Sequence, residues 1–525
     1  MGSRNSRQES PDDRYKEANG IVSTPKDDDI PPPKPPRKTK KKILKSADIK
    51  RCDKKASKVP WTASVEALTQ YLTDGLKSPL EKVRAFYFWI THNIGYDTTP
   101  NFHSCGIPTD SATVLRKRKS VCIGYANLFA DLCRQSSIPV KTITGYCKGF
   151  GHDPDTTFTT AKETDHAWNA VHVGGDWHFI ECTWGAGYKD DKGRFIKKFS
   201  EFHFLTPPKH FVVSHFPYFN KDMNESTKWQ LLRRPLDLDT FSQRLKGTSR
   251  MYEFRVKPKS HPNSIIDVCR NVEIKLQYPK SENLFMTARF FSKFGQKLDQ
   301  FVMIKRLGES QMSVQVRPPR KGDYMLHLYG KTDPEVAELD ELMKYVLRCK
   351  EAEDSVPPYP QHTGLWGAYS DFEESGLHKS AAKTIEHNVT NGKLRLKLKT
   401  VKLVDSIVKL EHSTQRIGDN DSYALLQRDK NYILLSAKFP WTGNYKLSIL
   451  TKNAGADTFS PRLSYLIHCT KAMSPCCQFP KEFQQTTHFS CRLIEPLDRR
   501  LPKIAKCVFD WHLVSLCKLG LRKTQ

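Results

Sequence analysis

The sequence predicts an α+β domain followed by two tandem β-sandwich modules, with a disordered basic tail at the N-terminus. Three observations favour this architecture. Helical and strand-like patterns alternate between about residue 60 and residue 245, and short runs of alternating apolar residues dominate beyond residue 250. One of those runs recurs about 120 residues later. With 525 residues, the chain is long enough to bury substantial cores without disulfide bonds.

Residues 1–58 are the predicted tail. They hold 17 Lys and Arg against 9 Asp and Glu, a proline cluster (PPPKPPRKTKKK) and almost no aromatic residues, so they cannot bury enough apolar surface to fold. The first residues, MGSRNS, match the N-myristoylation pattern with Gly2 as the acylated residue. One acyl chain holds a membrane only marginally, so the basic run at 34–45 would be the second attachment. The alternative is a solvated linker.

The whole chain carries a formal charge of +27, which favours acidic partners such as anionic lipid or an acidic protein surface. No zinc-finger spacing, basic zipper or RNA-binding aromatic signature accompanies this charge, so we expect no nucleic acid partner. The N-terminus lacks the apolar core of a signal peptide, and no run of about 18 apolar residues occurs. We therefore predict a cytoplasmic protein whose 14 cysteines are reduced.

The predicted α+β domain spans residues 59–245 and contains two well-marked helices. The first begins at SPLE, where Ser78 is the N-cap, Pro79 lies in the first turn and Glu81 completes a capping box. The second follows Cys122, with Tyr125, Leu128, Phe129 and Leu132 facing inward. The segment IPVKTITGY then predicts a strand.

A β-hairpin is predicted within DHAWNAVHVGGDWHFIECTW, residues 165–184, because strand-like alternation stands on both sides of Gly174 and Gly175. A turn centred on these glycines pairs residues whose numbers sum to 349. His166 then faces Thr183, and Trp168 faces Glu181. In this register His166 and Glu181 are diagonal neighbours on one face, within reach of each other. A slip of one residue would separate them.

Cys122 is a candidate nucleophile. A thiol at a helix N-terminus meets unpaired backbone donors and the positive end of the helix dipole, and both stabilise the thiolate. The basic residues 116–119 act in the same direction. His166 can supply the base and Glu181 can orient it, which is the Cys-His-acid arrangement used in acyl transfer. A buried structural cysteine is the alternative.

The other chemistry-bearing residues fit packing or surface roles. His172 lies on the same strand as His166 but near the turn, and His178 points to the opposite face of the hairpin; His92, His103 and His152 have no partner pattern either. No HExxH or paired CxxC motif occurs, and Cys476 and Cys477 are adjacent. We therefore expect no metal and no cofactor.

The region beyond residue 245 predicts two copies of one β module. GDYMLHLYGK at 322 matches GNYKLSILTK at 443, and YVLRC at 345 matches YLIHC at 465. The two offsets nearly agree, so duplication of one β-sandwich explains them better than chance. The predicted modules span 246–355 and 356–475, and a C-terminal extension, 476–525, is interpreted as an incomplete third module.

Two stretches around the candidate site resemble the core of the transglutaminase-like superfamily. VCIGYANLFADLCRQSSIPVKTITGY and DHAWNAVHVGGDWHFIECTWGAGY carry its Cys, His and acid motifs in that order. EFHFLTPPKHFVVSHFPYF and PPYPQHTGLWGAYSDFEESGL are similar to later segments of the kyphoscoliosis peptidase and hillarin family, so the likeness spans about 60–475. The resemblance implies a papain-like core with Cys122 as nucleophile, His166 as base and Glu181 as orienting acid. The family usually carries aspartate at the last position.

This resemblance implies a cysteine protease that is associated with the cytoskeleton and acts on proteins through a thioester. Two other functions fit the same residues. A lysine amine in place of water as acceptor would make the chain a crosslinking transglutaminase. A core retained only for folding would make it a non-catalytic cytoskeletal or membrane adaptor. The sequence indicates no oligomeric state.

Overall fold

The computed structural model describes residues 31–479, apart from residues 63, 100–106, 108, 191, 220–221, 334, 363, 370, 403, 419–422, 430, 453–456, 475 and 477, together with the strands at 492–495 and 508–510. The chain divides into two compact units, Met1–Ser249 and Arg250–Gln525. Gly2 lies outside the described residues, as does most of the predicted C-terminal extension. None of the helices in the described part is both long and apolar enough to cross a bilayer.

The first unit combines helices with one central antiparallel sheet. Its helices are α1 (Lys40–Leu44), α2 (Ile49–Ala56), α3 (Val65–Thr73), α4 (Pro79–Asn93), α5 (Ser111–Lys117), α6 (Cys122–Gln135), α7 (Cys182–Ala186), α8 (Pro208–Phe211), α9 (Met223–Lys228) and α10 (Leu238–Gln243). Its strands are β1 (Gly95–Tyr96), β2 (Lys119–Ser120), β3 (Val140–Cys147), β4 (His166–Val173), β5 (Asp176–Ile180), β6 (Gly187–Lys189), β7 (Phe195–Lys197), β8 (Phe204–Thr206) and β9 (His215–Pro217). The central sheet has the order β8-β5-β4-β3-β9.

The two predicted helices of this unit are confirmed. Ser78 caps α4, its hydroxyl accepts from the backbone of Glu81, and the Glu81 carboxylate returns to the N-cap, so the capping box is complete. Helix α6 begins at Cys122 and buries one face, including Tyr125, Leu128 and Phe129. Side chains of α3, α4, α6 and the sheet form one apolar core. This core fixes α6 against β4, which positions the candidate site.

The predicted tail ends earlier than residue 58. Helices α1 and α2 lie within it, and Cys52 of α2 is fully buried. The buried Arg84 guanidinium of α4 holds the Asp53 carboxylate by two hydrogen bonds of 2.6 and 2.8 Å. The low apolar content of this region did not indicate that it folds, because a charged, bidentate hydrogen-bonded contact supplies part of its stabilisation. Residues 1–30 lie outside the described residues.

The second unit is almost entirely β structure. After a short helix, α11 (Ser249–Glu253), its strands are β10 (Lys257–Pro258), β11 (Ile265–Cys269), β12 (Val272–Gln277), β13 (Phe285–Ser292), β14 (Val302–Gly308), β15 (Gln311–Val316), β16 (Gly322–Lys331), β17 (Asp340–Glu351), β18 (Leu365–Ala368), β19 (Glu386–Val389), β20 (Lys393–Lys399), β21 (Asp405–His412), β22 (Ala424–Asp429), β23 (Tyr432–Lys438), β24 (Gly443–Lys452), β25 (Ser460–Cys469), β26 (Arg492–Glu495) and β27 (Val508–Asp510).

The strands of the second unit form two packed modules that share one sheet. This sheet runs β10-β12-β15-β14-β18-β25-β24-β21, and β19 also pairs with β25. The opposing layers are β11-β17-β16-β13 in the first module and β20-β23-β22 in the second. Strand β18 joins the modules, because it pairs parallel with β14 and antiparallel with β25. The predicted α+β core followed by two β-sandwich modules is confirmed.

The internal repeat is confirmed strand by strand. Gly322 pairs with Cys349 in β16-β17, and Gly443 pairs with Cys469 in β24-β25. Each repeat also carries a tyrosine whose hydroxyl donates to the carbonyl four residues earlier. Tyr324 reaches Arg320 at 2.7 Å, and Tyr445 reaches Trp441 at 2.9 Å. This backbone contact is typical of immunoglobulin-like sandwiches.

Candidate active site

Cys122 lies at the first position of α6, directly after the short strand β2. The N-cap residue Val121 makes no side-chain hydrogen bond to the helix, so the N–H groups of the first turn face Cys122 without a competing side chain. The thiol is buried, with 8% of the residue exposed. A helix start of this kind favours a thiolate over a thiol.

Two of the four basic residues before α6 have other partners. Lys119 forms an ion pair with Asp97 at 3.0 Å, and the Arg118 guanidinium lies 4.5 Å from the centre of the Trp89 ring. The helix terminus and the His166 imidazole are the features that adjoin Cys122.

His166 begins β4, and its ring lies between Cys122 and Glu181. The Nε2 atom is 2.8 Å from the Glu181 Oε2 atom. The ring also hydrogen-bonds the Cys122 side chain, and because Nε2 is engaged by Glu181, Nδ1 is the nitrogen that faces the thiol. His166 is 7% exposed, so this contact is largely shielded from bulk water. The three predicted side chains therefore meet in one place.

The hairpin register that predicted this meeting is confirmed over most of its length. Asn169 pairs with Ile180 and Val173 with Asp176, as the sum of 349 requires. Strand β5 ends at Ile180, however, so the predicted pairs of His166 with Thr183 and of Trp168 with Glu181 do not form. The chain turns into α7 at Glu181, and His166 pairs instead with Gly145 of β3.

Glu181 connects the sheet, the helix and the imidazole. It is fully buried and serves as the N-cap of α7, where its Oε1 atom accepts from the backbone N–H groups of Thr183 at 2.8 Å and Trp184 at 3.1 Å. Its Oε2 atom faces His166. The carboxylate thus satisfies two orphan helix donors and the imidazole at once. The two capping hydrogen bonds orient the carboxylate. Glu181 is in the capping position because β5 ends at Ile180, the residue before it.

The electrostatics of the pair favour an imidazolium beside a carboxylate. Burial alone would lower the pKa of His166, but the charge of Glu181 and the hydrogen bonds to Glu181 and Cys122 raise it well above its usual value. Burial would likewise raise the pKa of Glu181, but His166 and then His215 lower it well below the usual range of a glutamate.

His215 is a site residue that sequence reasoning missed. It begins β9, is 1% exposed, and places Nε2 3.3 Å from the Glu181 Oε2 atom. Its ring stacks on Phe211 with the ring centres 4.0 Å apart. Burial lowers its pKa to about 4, so the ring is neutral at physiological pH. His215 reaches the site because β9 pairs with β3, a contact between distant segments that leaves no local pattern.

Two further residues border the site. Burial, and then the neighbouring Cys122, raise the pKa of Tyr96 to about 12. Burial raises the pKa of Cys147 to about 12 as well, so this second thiol stays protonated at neutral pH. Only Cys122 combines a helix start with a hydrogen-bonded imidazole among the described cysteines, all of which are free thiols.

His172 and His178 lie away from this centre. His172 is half-buried near the turn and packs edge-to-face on Trp177. His178 is buried on the other face of the hairpin, and burial lowers its pKa to about 4. His103 lies outside the described residues. Among the residues that the structure describes, the one group whose ligand atoms could hold a metal ion is His166, Glu181 and His215, whose atoms lie within 4.8 Å of one another.

Comparison with known proteins places this centre inside a matched domain. Residues 66–182 match the model of the transglutaminase-like superfamily, and residues 238–360 and 364–480 each match the KY-like, immunoglobulin-like domain. The first match contains Cys122, His166 and Glu181. The domain order of the chain is thus a transglutaminase-like core followed by two immunoglobulin-like modules.

Several curated proteins are similar to this chain over more than half of its length. The chain is 27% identical to kyphoscoliosis peptidase of Mus musculus over 485 residues, covering 90% of this chain and 69% of that protein. It is 26% identical to kyphoscoliosis peptidase of Homo sapiens, with coverages of 88% and 68%. Hillarin of Drosophila melanogaster is 23% identical and covers 57% of this chain and 39% of its own length.

Proposed function

Because the chain belongs to the kyphoscoliosis peptidase and hillarin family of the transglutaminase-like superfamily, we propose that it is a cysteine peptidase acting on proteins through Cys122, His166 and Glu181. One observation carries the proposal. The buried His166 imidazole is hydrogen-bonded on one side to the Cys122 thiol at a helix start, and on the other side to the fully buried Glu181 carboxylate. This arrangement is the requirement for a thiolate nucleophile paired with a proton donor.

The reaction follows from these positions. The Cys122 thiolate attacks the amide carbonyl of the substrate, a C–S bond forms, and the C–N bond breaks as His166 gives its proton to the departing amine. The result is a thioester and a neutral imidazole. Water then attacks the thioester while His166 takes its proton, and the C–S bond breaks to release the acid and regenerate the Cys122 thiolate. Glu181 keeps Nε2 bonded throughout, so Nδ1 stays directed at sulfur.

The first test is selective labelling with iodoacetamide near neutral pH, followed by mass spectrometry of each cysteine. We expect Cys122 to react faster than the other 13 thiols, and His166→Ala to remove the difference. His172→Ala is the matched control, because His172 lies on the same strand away from Cys122. Uniform slow labelling of the wild-type chain would contradict the proposal and support the adaptor function.

The second test separates cleavage from crosslinking. Wild type and Cys122→Ala are incubated with cytoskeletal extract, and new protein N-termini are counted alongside incorporation of a labelled primary amine. New N-termini that require Cys122 support the peptidase. Amine incorporation without new N-termini would replace it with the transglutaminase reaction, since the thioester is common to both and only the acceptor differs.

We also propose that the protein is cytoplasmic, associated with the cytoskeleton, and attached peripherally to membranes through Gly2. Gly2 fits the acylation pattern, and the basic run at 34–45 is adjacent. Part of that run contacts the folded part of the first unit, since Arg37 forms an ion pair with Asp176 at 3.2 Å. Gly2→Ala should move the protein from the membrane to the soluble fraction. Unchanged partitioning would dismiss the lipid anchor.

A further inference from the structure

His215 presents a buried nitrogen to a buried carboxylate without a hydrogen bond of good geometry between them. Its Nε2 atom lies 3.3 Å from the Glu181 Oε2 atom and has no well-aligned hydrogen-bond partner. Both residues are at most 1% exposed. A buried nitrogen without a hydrogen-bond partner costs free energy of folding. The cost is removed if another group lies between the nitrogen and the oxygen and binds both.

The hydrogen bonds of Ser214 fit one tautomer of the His215 ring. The Ser214 hydroxyl donates to the Phe211 carbonyl at 3.1 Å, so its oxygen is free to accept. Its 2.9 Å contact with the His215 Nδ1 atom then has Nδ1–H as the donor. In this tautomer the Nε2 atom carries a lone pair. A lone pair and a carboxylate oxygen cannot hydrogen-bond to each other, and a cation between them would be bound by both.

The geometry points to a zinc site formed by His166 Nε2, Glu181 Oε2 and His215 Nε2, and we propose that zinc bound there inhibits the enzyme. All three atoms lie within 4.8 Å of one another. Ligands around a tetrahedral zinc ion stand roughly 3.4 Å apart, which matches the 3.3 Å between His215 and Glu181. The 2.8 Å hydrogen bond between His166 and Glu181 must open to the same separation.

The chemistry of the three ligands selects zinc over harder ions. Two imidazoles and one carboxylate are a common zinc set, whereas calcium and magnesium prefer oxygen ligands. The ligands are also held by outer contacts: Ser214 fixes the His215 ring, and the N–H groups of Thr183 and Trp184 fix the free Glu181 oxygen. The fourth position is left for water.

Zinc binding and catalysis require different partners at His166 Nε2. When zinc binds, two Zn–N bonds and one Zn–O bond form, the zinc ion gives up bound waters, the His166–Glu181 hydrogen bond breaks, and the Nε2 proton goes to solvent. His166 then no longer has the carboxylate that stabilises its positive charge. The inhibitory consequence rests on the proposed peptidase function, whereas the binding site does not.

The binding test uses the full-length protein with Co²⁺ as a spectroscopic probe and Zn²⁺ in competition with a chromophoric chelator. Because the chain has 14 cysteines that can also bind zinc, the measurement is the difference between variants. We expect His215→Ala and Glu181→Gln each to weaken one site by more than about tenfold. His178→Ala is the matched control, because it removes a buried histidine that has no part in the cluster.

Each outcome decides a separate point. Visible cobalt bands without a thiolate charge-transfer band, lost in both ligand variants and kept in Cys122→Ala, support the site. The zinc site is overturned if His215→Ala and wild type, both folded by circular dichroism, bind the metal with equal affinity. Loss of metal binding in Cys122→Ala also overturns it. Zinc should also slow iodoacetamide labelling of Cys122, and chelator should restore it. Binding without slower labelling overturns the inhibition alone. If Cys122 is not labelled selectively in metal-free wild type, the peptidase proposal is overturned instead.

Discussion

Glu181 performs two tasks with one carboxylate. One oxygen caps α7 through two backbone N–H groups, and the other faces His166. The resemblance predicts aspartate at this position, where the family usually has it. The longer side chain lets the cap and the imidazole contact coexist while the residue stays fully buried. The departure from the family pattern is therefore compatible with a complete Cys-His-acid arrangement.

Glu181→Gln tests the role of the carboxylate without changing its size. The new amide keeps its oxygen on the Thr183 and Trp184 N–H groups, so its NH₂ group faces His166. His166 must then accept through Nε2 and carry its hydrogen on Nδ1, which cannot take the proton of Cys122. We expect cleavage to fall by about 10²–10⁴-fold, measured as substrate turnover.

The control for this substitution is Glu225→Gln, which alters a carboxylate that bonds the Trp229 indole elsewhere in the first unit. We expect its turnover to equal that of wild type. Wild-type turnover in Glu181→Gln would show that the carboxylate does not orient the imidazole, and the proposed triad would reduce to a pair.

At the residue scale, the sequence predicted those parts of the site that depend on local geometry. The glycine turn at 174–175 defined the hairpin register, and this register predicted that His166 and Glu181 lie close together. The turn of the chain at Glu181 was not predictable, since the last paired residue is Ile180. His215 was not predictable either, because β9 reaches β3 across about 70 residues of intervening chain.

Among the elements, β3 holds the site together. It lies between β4, which carries His166, and β9, which carries His215. Gly145 stands where the two neighbours approach most closely, paired with His166 on one side and with Pro217 on the other. A Cβ at this position would collide with the Phe216 carbonyl and approach the Trp168 ring to 2.7 Å.

Gly145→Ala should therefore force β4 and β9 apart. We expect a loss of about 1–3 kcal/mol in the free energy of unfolding, together with slower labelling of Cys122, because the backbone carbonyl cannot move aside as a side chain can. Urea unfolding and iodoacetamide labelling are the two measurements. Gly418→Ala is the control, since nothing lies within 4 Å of its added Cβ. Equal stability of both variants would contradict the proposed crowding.

Helix α2 explains why composition misjudged the N-terminal region. Its sequence, IKRCDKKA, has few apolar residues, and only Cys52 and Ala56 are buried. The contact that composition does not reveal is Arg84, whose guanidinium binds Asp53 through two atoms and Glu201 through a third. Partners 31 and 117 residues away cannot be recognised from a local window.

Asp53→Asn should release α2. Arg84 is 3% exposed, and the substitution removes the charge from the carboxylate that accepts two of its hydrogen bonds while Glu201 keeps the third, so we expect a cost of about 1.5–3 kcal/mol in the free energy of unfolding. Asp74→Asn is the matched control, because Asp74 is 85% exposed in its pair with Lys55 and should cost less than about 1 kcal/mol. Protease cleavage between residues 45 and 60 provides a second measurement. Equal losses in both variants would mean that α2 docks without this contact.

At the scale of the whole molecule, the repeat made the two β modules predictable, but not their connection. The duplicated strands β16-β17 and β24-β25 have the same register, as their sequences indicated. The connection depends on β18, whose parallel pairing with β14 is marked by no turn signal. Met303, Tyr359, Trp366, Ile385 and Leu466 form the buried cluster beside this connection. We therefore expect the two modules to unfold together.

Glu386 gives this coupling a pH dependence. It belongs to the second module, and Lys305 of the first donates to it at 2.5 Å. The hydrogen bond to His468 and then the contact with Lys305 lower the pKa of Glu386 to about 2, against a partial opposing effect of burial. A carboxyl whose pKa is lower in the folded state stabilises the fold above its ordinary pKa of 4.5, and this contribution is lost as the pH falls towards 2.

Wild type should therefore be more stable than Glu386→Gln at pH 7, and the difference should shrink between pH 4.5 and pH 2. Urea unfolding of the full chain at several pH values measures this difference, followed by near-ultraviolet circular dichroism. Glu335→Gln, at an exposed position, should match wild type throughout. Because Lys305 and Glu386 belong to different modules, the variant should lower one shared transition. Two separate transitions in wild type would show that the shared sheet does not couple the modules, whatever the pH.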